Sequence, residues 1–367
     1  MQPIRILMIN SKMQCAGIEN WIMNYYRHID RSRFQFDFLV HWQERQYFDD
    51  EIERMGGRIY RLSIREDYRV DRYYRELCRF FREHDEYKIV HGHMESFGVF
   101  YFHAAKKAGV PVRIAHAHVV GVESGLKNCA KNLMNKGFAH DANAFFSCSE
   151  AATRYLFGNR RTVHYIKNAI EVERFAYNPV VRMRVRRELG LDGCHVIGHV
   201  GRFEIVKNQL FLIRAFADVC RRRDDARLML VGDGNLRADA EREAARLGIA
   251  DRVLFMGLRN DLPDLYQAMD VFALPSIHEA LPLVAVEAQT AGLPCIASDG
   301  VSAEAKVLPY SQMLPLDPRL WVDRLSANGE KIDRTAASGI MRDNGYDLNR
   351  ESKVLSDLYM KLLEEHT

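Results

Sequence analysis

The sequence predicts an α/β protein with two doubly wound domains, each built on a parallel sheet. At 367 residues the chain is long enough for two domains of ordinary size. Short apolar strands alternate with helical patterns in both halves, which is typical of parallel sheets covered by helices. Glycines and polar side chains follow several predicted strands, at the end of the sheet where such folds bind ligands.

The predicted N-terminal domain covers residues 1–170. Its strands are predicted at Ile4–Asn10, Gln35–Val40, Arg58–Leu62, Lys88–Gly92, Val112–Ala117, Ala144–Ser147 and Val163–Lys167. Its helices are predicted at Ile18–His28, Asp71–Phe81, Gly98–Lys107, Gly125–Phe138 and Glu150–Phe157.

The predicted C-terminal domain covers residues 171–348, and Glu171–Pro179 is predicted to be a linker. Strands are predicted at His195–Val200, Arg227–Val231, Val253–Met256, Val271–Ala273 and Pro294–Ala297, and helices at Gln209–Arg221, Leu236–Leu247, Leu262–Ala268 and Leu283–Ala291. The pattern weakens after Val307. Residues 349–367 form a third segment, in which an amphipathic helix is predicted over Asn349–His366.

The composition is that of a globular protein, with 47% hydrophobic and 28% charged residues. No apolar run approaches the ~18–20 residues that span a bilayer, and the first ten residues indicate a strand rather than a secretory signal. The seven cysteines are scattered without metal-ligand spacing. We therefore expect reduced thiols and a cytoplasmic protein.

Positive charge is concentrated in residues 101–170, which hold ten basic and three acidic side chains. Lys127, Lys131 and Lys136 all lie on the helix predicted there. Such a helix either lies on an anionic membrane surface or exposes a charged face to water. No nucleic-acid partner is expected.

Residues 274–299 carry the strongest functional signal. Glu279 lies in a loop, and Glu287 lies inside the following helix, which ends at Gly292-Leu293-Pro294. The N–H groups at the start of a helix can face an anion, and carboxylates accept hydrogen bonds from paired sugar hydroxyls. The segment therefore predicts a ligand that carries both phosphate and hydroxyl groups.

A second signal is the loop after the strand that ends at Val200. Arg202 and Lys207 are placed there to bind phosphate oxygens, although a surface loop capped by Asn208 would have the same pattern. Gly232-Asp233-Gly234 is compatible with a tight turn. No dinucleotide fingerprint, phosphate-binding P-loop or suitably placed Asp-x-Asp motif occurs, so we expect chemistry without a metal or cofactor.

Two histidine pairs, His91/His93 and His116/His118, lie at the ends of strands in the first half. Alternate residues of a strand point to the same face, so each pair should project together. A structural role, a hydrogen-bonding role in a ligand cleft and metal binding all remain open. No cysteine or acidic residue near them supports the metal.

Together these motifs resemble the retaining glycosyltransferases of family 4, and within it the enzymes of capsular and exopolysaccharide synthesis. That family has the GT-B fold, in which two Rossmann-like domains face a cleft. The matching segments are Ser276–Asp299 for the family's Glu-x7-Glu pattern, Gly201–Asn208 for its phosphate loop, Val231–Gly234 for its Val-Gly-x-Gly turn, Asn168–Phe175 for its linker, and Ala16–Glu19 for its Gly-Gly-x-Glu loop. Ala16 replaces the first glycine of the last pattern.

The resemblance implies catalytic roles for four residues. Arg202 and Lys207 would hold the nucleotide diphosphate and stabilise the leaving group. Glu279 would contact hydroxyls of the transferred sugar, and His118, or alternatively His116, would lie near that sugar.

The resemblance also implies the donor-binding set. Glu287 would accept hydrogen bonds from the ribose hydroxyls. Gly17 would lie near acceptor or phosphate. The remaining positions supply the turn, the base contacts and the backbone N–H groups: Gly232, Leu258, Arg259, Ala280, Leu281 and Leu283. The C-terminal helix would pack on the N-terminal domain.

The sequence thus predicts transfer of a sugar from a nucleotide-sugar, with a UDP-sugar favoured, to a saccharide or lipid-linked acceptor at the inner face of the plasma membrane. Retention requires either a double displacement or front-face attack, and the resemblance favours the latter. Two alternatives are a sugar-nucleotide 2-epimerase of the same fold and a non-catalytic two-domain binding protein.

Overall fold

The computed structural model of the protein describes residues 2–63, 69–118, 137–159, 162–327 and 332–367. The chain divides into one unit of Met1–Lys167 with Leu348–Thr367 and a second unit of Asn168–Asp347. The predicted domain boundaries lie after residues 170 and 348.

The first unit is built on a parallel sheet. Its strands and helices, within the described ranges, are β1 (Ile4–Asn10), α1 (Gly17–His28), β2 (Phe34–Val40), α2 (Asp49–Arg54), β3 (Ile59–Arg61), α3 (Val70–Glu83), β4 (Ile89–Gly92), α4 (Gly98–Lys107), β5 (Val112–Ala117), β6 (Ala144–Ser147), α5 (Glu150–Leu156) and β7 (His164–Tyr165). The strand order is β3-β2-β1-β4-β5-β6-β7. This order reverses direction between β1 and β4, which is where doubly wound sheets bind ligands.

The second unit repeats the plan. Its elements in the described chain are α6 (Val172–Phe175), α7 (Pro179–Glu188), β8 (His195–Val200), α8 (Gln209–Arg222), β9 (Ala226–Val231), α9 (Arg237–Arg246), β10 (Val253–Gly257), α10 (Leu262–Ala268), β11 (Val271–Leu274), α11 (Leu283–Thr290), β12 (Cys295–Ser298), β13 (Gln312–Leu314), α12 (Pro318–Ser326) and α13 (Ala337–Asp343). The parallel sheet has the order β10-β9-β8-β11-β12-β13. The predicted fold class, with two doubly wound parallel sheets, is confirmed.

The chain ends in α14 (Leu348–His366), which belongs to the first unit and contacts α1. Its Leu355, Tyr359 and Leu362 are buried. These residues recur every three or four positions, so they lie on one face of the helix and bury it against the sheet.

The prediction of a linker at Glu171–Pro179 is wrong in part. Val172 and Phe175 form a single helical turn, α6, and are buried in the core of the second unit. One turn is too short to show a period in the sequence. Pro179 starts α7, and Asn178 caps it by accepting from the N–H of Val180 at 3.0 Å.

The weak pattern after Val307 conceals β13, α12 and α13, which are each nine residues or shorter. The helix predicted at Gly125–Phe138, with Lys127, Lys131 and Lys136, lies almost wholly outside the described residues. Within the described chain, every helix is too short or too polar to span a bilayer.

Candidate active site

Main-chain hydrogen bonds join the ends of β8, β9 and β10 in the second unit. Gly201 N–H donates to Val231 O at 2.9 Å, and Gly232 N–H donates to Gly257 O at 2.8 Å. A Cβ at Gly232 would lie 2.2 Å from Gly201 O, and the φ of Gly232 is +135°. Only glycine therefore fits at this position. The three loops form one fixed surface.

Two predicted site residues of the second unit, Lys207 and Glu279, are in direct contact. Lys207 Nζ lies 2.7 Å from Glu279 Oε2, and the Ser276 hydroxyl donates to the other carboxylate oxygen. Asn208, with a left-handed φ of 57°, turns the chain after Lys207, and its side-chain amide donates to Pro275 O at 3.2 Å. Sequence reasoning named both charged residues but not their contact or Ser276.

The backbone around Glu279 is held on both sides. Its N–H donates to Gly300 O at 3.1 Å, and its carbonyl accepts from Ser302 N–H at 3.0 Å. The carboxylate is thus presented from a rigid loop. Its side chain is 13% exposed, and that of Lys207 is 22% exposed, so the pair is partly shielded from water.

The loop then leads into the N-terminus of α11. Asn168 Nδ2 donates to Leu281 O at 2.6 Å. Leu281 is buried, whereas Ala280 and Leu283 are partly exposed. The first N–H groups of a helix have no acceptor within it, so the start of α11 can bind an anion beside the Lys207–Glu279 pair.

Glu287 lies on the same helix in a different environment. The hydroxyl of Tyr266, on α10, donates to Glu287 Oε2 at 2.8 Å. Burial raises the pKa of Glu287 to about 7, although the bond from Tyr266 opposes this shift. Near neutral pH this carboxyl group can therefore be ionised, and accept hydrogen bonds from hydroxyl groups, or be protonated, and donate one. Tyr266 belongs to no motif that sequence reasoning could have used.

Three other predicted residues of this unit are exposed at its surface. Arg202 pairs with Glu204 at 3.0 Å. Arg259 Nε donates to Asp261 at 2.8 Å. Leu258 is 81% exposed.

The four strand-end histidines of the first unit form two hydrogen-bonded pairs across β4 and β5. His91 Nε2 lies 3.0 Å from His116 Nδ1, and His93 Nδ1 lies 2.8 Å from His118 Nε2. His91 Nδ1 also lies 2.8 Å from the Tyr359 hydroxyl of α14. The rings of each sequence pair stack, with centroids 4.3 and 4.0 Å apart, so the predicted shared faces are confirmed.

Burial lowers the pKa of His91, His93 and His116 well below the usual range, and lowers the pKa of His118 to about 3. All four rings are therefore neutral at physiological pH. His116 is fully buried, whereas His118 is partly exposed and is the better placed of the two to reach a ligand. Gly17, also predicted, is exposed at the start of α1.

Two family models together match most of the chain. The model described as glycosyl transferases group 1 matches residues 182–309, and the glycosyl transferase 4-like domain matches residues 16–169. The glycosyltransferase named EpsF from Bacillus subtilis strain 168 is 33% identical over 97% of this chain and 96% of its own length. The chain belongs to the group 1 glycosyltransferases.

A second relative is the Escherichia coli UDP-Gal:α-D-GlcNAc-diphosphoundecaprenol α-1,3-galactosyltransferase. It is 32% identical over about half of each chain, 52% in both cases. Among solved structures, Anabaena HepE in complex with UDP has a TM-score of 0.82 at 18% identity, covering 97% of this chain and 100% of its own. WaaG, named for lipopolysaccharide biosynthesis, has a TM-score of 0.72 at 18% identity, covering 96% and 99%. These structures share the GT-B fold.

Proposed function

We propose that the protein transfers a sugar from a nucleotide-sugar donor, a UDP-sugar, to a saccharide carried on a lipid diphosphate, with retention at the anomeric carbon. The observation that carries this proposal is the Lys207–Glu279 contact of 2.7 Å beside the N-terminus of α11, the helix that also bears Glu287. The lysine and the helix N-terminus suit a diphosphate, and the two carboxyl groups suit sugar hydroxyls.

The relatives support the substrate classes. The E. coli relative is named for UDP-galactose and a diphosphoundecaprenol acceptor. HepE has been solved with UDP-glucose. EpsF, similar over nearly the whole chain, is named as a glycosyltransferase.

The proposed chemistry uses fixed charges. Breaking the sugar–phosphate bond leaves a cationic sugar and an anionic nucleotide. Lys207, Arg202 and the start of α11 would stabilise the negative charge without a metal or other cofactor. Glu279 would hold the sugar hydroxyls and keep Lys207 oriented, while Glu287 would hold the ribose. The acceptor hydroxyl would attack from the face that the phosphate leaves, and the departing phosphate oxygen would take its proton.

The test is a panel of UDP-, GDP- and ADP-sugars, each incubated with and without a lipid-linked saccharide. We expect acceptor-dependent release of UDP and unchanged turnover in EDTA. We also expect the anomeric configuration of the new linkage to be the same as that of the sugar in the donor. Formation of an epimerised donor in the absence of acceptor would contradict the proposal and would identify the protein as a sugar-nucleotide 2-epimerase. An inverted linkage, or activity that EDTA abolishes and magnesium restores, would also contradict it.

We further propose that the protein works at the inner face of the plasma membrane, with Lys127, Lys131 and Lys136 facing anionic lipid. Each basic residue near such a surface contributes ~1 kcal/mol, which salt screens. Changing all three to glutamine should reduce co-sedimentation with anionic vesicles.

A matched control removes the same charge from exposed arginines of the second unit, Arg221, Arg242 and Arg246. The control variant should sediment like the parent. Equal sedimentation of the parent and the lysine variant would show that these three lysines do not dock the protein on the membrane.

A further inference from the structure

The histidines at the ends of β4 and β5 have the arrangement of a metal-ligand set. One ring nitrogen from each of His91, His93 and His116 lies within 4.8 Å of the others. These three side chains are at most 1% exposed. His91 Nε2 and His116 Nδ1 are 3.0 Å apart. Two imidazole nitrogens on one tetrahedral zinc ion, with bonds of ~2.0–2.1 Å, are separated by about 3.3 Å.

The outer contacts of these rings orient the nitrogens. Tyr359 holds His91 through Nδ1, and His118 holds His93 through Nδ1, each at 2.8 Å. A histidine that binds a metal commonly uses one nitrogen for the ion and the other for such a partner. Both Nδ1 contacts therefore leave Nε2 as the nitrogen for the ion.

Two buried nitrogens in this cluster have no hydrogen-bond partner in the part of the chain that the structure describes, namely His93 Nε2 and His116 Nε2. Buried polar atoms are nearly always paired, so each such atom calls for an explanation. A bound cation supplies the missing partner for His93. His116 would bind through Nδ1, beside His91, and its Nε2 would keep the proton.

We propose that His91 Nε2, His93 Nε2 and His116 Nδ1 bind a divalent transition-metal ion of the Zn²⁺ class. Neutral imidazoles are ligands that Zn²⁺, Ni²⁺ and Cu²⁺ favour over Mg²⁺ or Ca²⁺. Three ligands leave a fourth position for water. The ion would tie the ends of β4 and β5 beneath α1, and none of the steps of the proposed transfer is assigned to it. Zn²⁺ binding is measured without donor or acceptor, so its failure is distinguishable from failure of the proposed function.

The first test is calorimetric titration of Zn²⁺ into chelator-treated, full-length protein without a histidine tag. We expect saturable binding of one ion per chain. Co²⁺ serves as a second probe, because the Trp21 ring lies 4.7 Å from that of His116 and a bound paramagnetic ion should quench its fluorescence. Absence of saturable one-to-one binding by the parent would overturn the proposal without recourse to any variant.

Variants locate the ion. His93→Gln removes a ligand and should weaken Zn²⁺ binding by more than ~100-fold, since loss of an outer partner alone costs 10–100-fold. Tyr359→Phe, which preserves the ring packing, should weaken it by ~10–100-fold.

The control is the double variant His103→Gln, His140→Gln, which removes exposed imidazoles beside Asp141 in the same unit. Its affinity should equal that of the parent. If the control loses the ion while His93→Gln and Tyr359→Phe retain it, the metal belongs to the surface and the proposal is wrong. Circular dichroism of each variant establishes that it folds before its affinity is compared.

Discussion

The two units place polar side chains at the same position in the same fold, yet the electrostatics differ. The second unit has a lysine–glutamate pair in the loops after its strands and a titrating acid on the helix that follows, whereas the first has four neutral histidines at its strand ends. A parallel sheet fixes where ligands can be reached, but it does not fix which chemistry is offered there. If the comparison holds, substitutions in the second unit should change rate and pH dependence, and those in the first should change rate alone.

The largest effect is expected at Lys207. Lys207→Met should lower kcat by ~10²–10³-fold, because removal of one preorganised group that stabilises developing charge costs that much. Lys207→Arg should restore part of the rate. The measurement is kcat with saturating donor.

Arg214→Met is the matched control, because Arg214 is an exposed cation of the same unit paired with Glu243. It should leave kcat unchanged. A Lys207→Met enzyme with parental kcat would show that the charged pair has no special part in transfer.

The next effect is expected at Glu287. Ribose binding needs the ionised carboxylate, and burial raises the pKa of Glu287 to about 7, so parental donor affinity should rise between pH 6 and pH 8. Glu287→Gln should cost ~1.5–3 kcal/mol at pH 8, or about 10- to 150-fold in Kd, and less at pH 6. Calorimetry at both values of pH measures this. If the donor affinity of the parent enzyme does not change with pH, the contrast drawn between the two units is wrong.

The same group makes a prediction about stability. The pKa of Glu287 is raised from 4.5 to about 7 in the folded chain. The folded state therefore binds more protons than the unfolded state between these values, and the free energy of unfolding should fall as pH rises through that window. Glu287→Gln should flatten the fall, as measured by urea unfolding at pH 5 and pH 8.

A smaller effect is expected at His118 in the first unit. The family resemblance implies that His118 lies near the transferred sugar. If it forms one neutral hydrogen bond there, worth ~0.5–1.5 kcal/mol, His118→Ala should lower kcat by about 3- to 10-fold. Because the pKa of His118 is about 3, this factor should be equal at pH 6 and pH 8. His140→Ala, at an exposed position, should have no effect. A factor that changes with pH would show that the first unit also acts through charge.

The smallest effect is expected at Tyr266. Its hydroxyl stabilises the ionised form of Glu287, so Tyr266→Phe should raise the pKa of Glu287 further. The midpoint of donor affinity against pH should move upward by no more than about one unit, which corresponds to ~1.4 kcal/mol. A downward movement would contradict the assigned contact.

The fold and the charged residues could be predicted because both leave local marks in the sequence. Alternating short strands and helices predict the parallel sheets, and the stop at Gly292-Leu293-Pro294 marks the end of the helix that carries Glu287. The elements after Val307 and the turn at Val172–Phe175 could not be found, because they are too short to show a period.

The contacts between distant residues could not be predicted either. Tyr266 reaches Glu287 only after α10 and α11 pack together, and Tyr359 reaches His91 from the last helix of the chain. The pairing of His93 with His118 depends on β4 and β5 being neighbours, which alternation alone does not establish. Tertiary neighbours of this kind carry no signal in one sequence.

The main-chain hydrogen bonds that join the ends of β8, β9 and β10 have a consequence for enzyme engineering. The surface proposed to contact the nucleotide is formed by main-chain atoms of these loops, and Gly232 has no room for any side chain. Variants that accept a different donor base should therefore be found by substituting the exposed Leu258 and Arg259, because their side chains can change without displacing this main-chain surface. A library of those two positions explores base preference while the scaffold stays fixed.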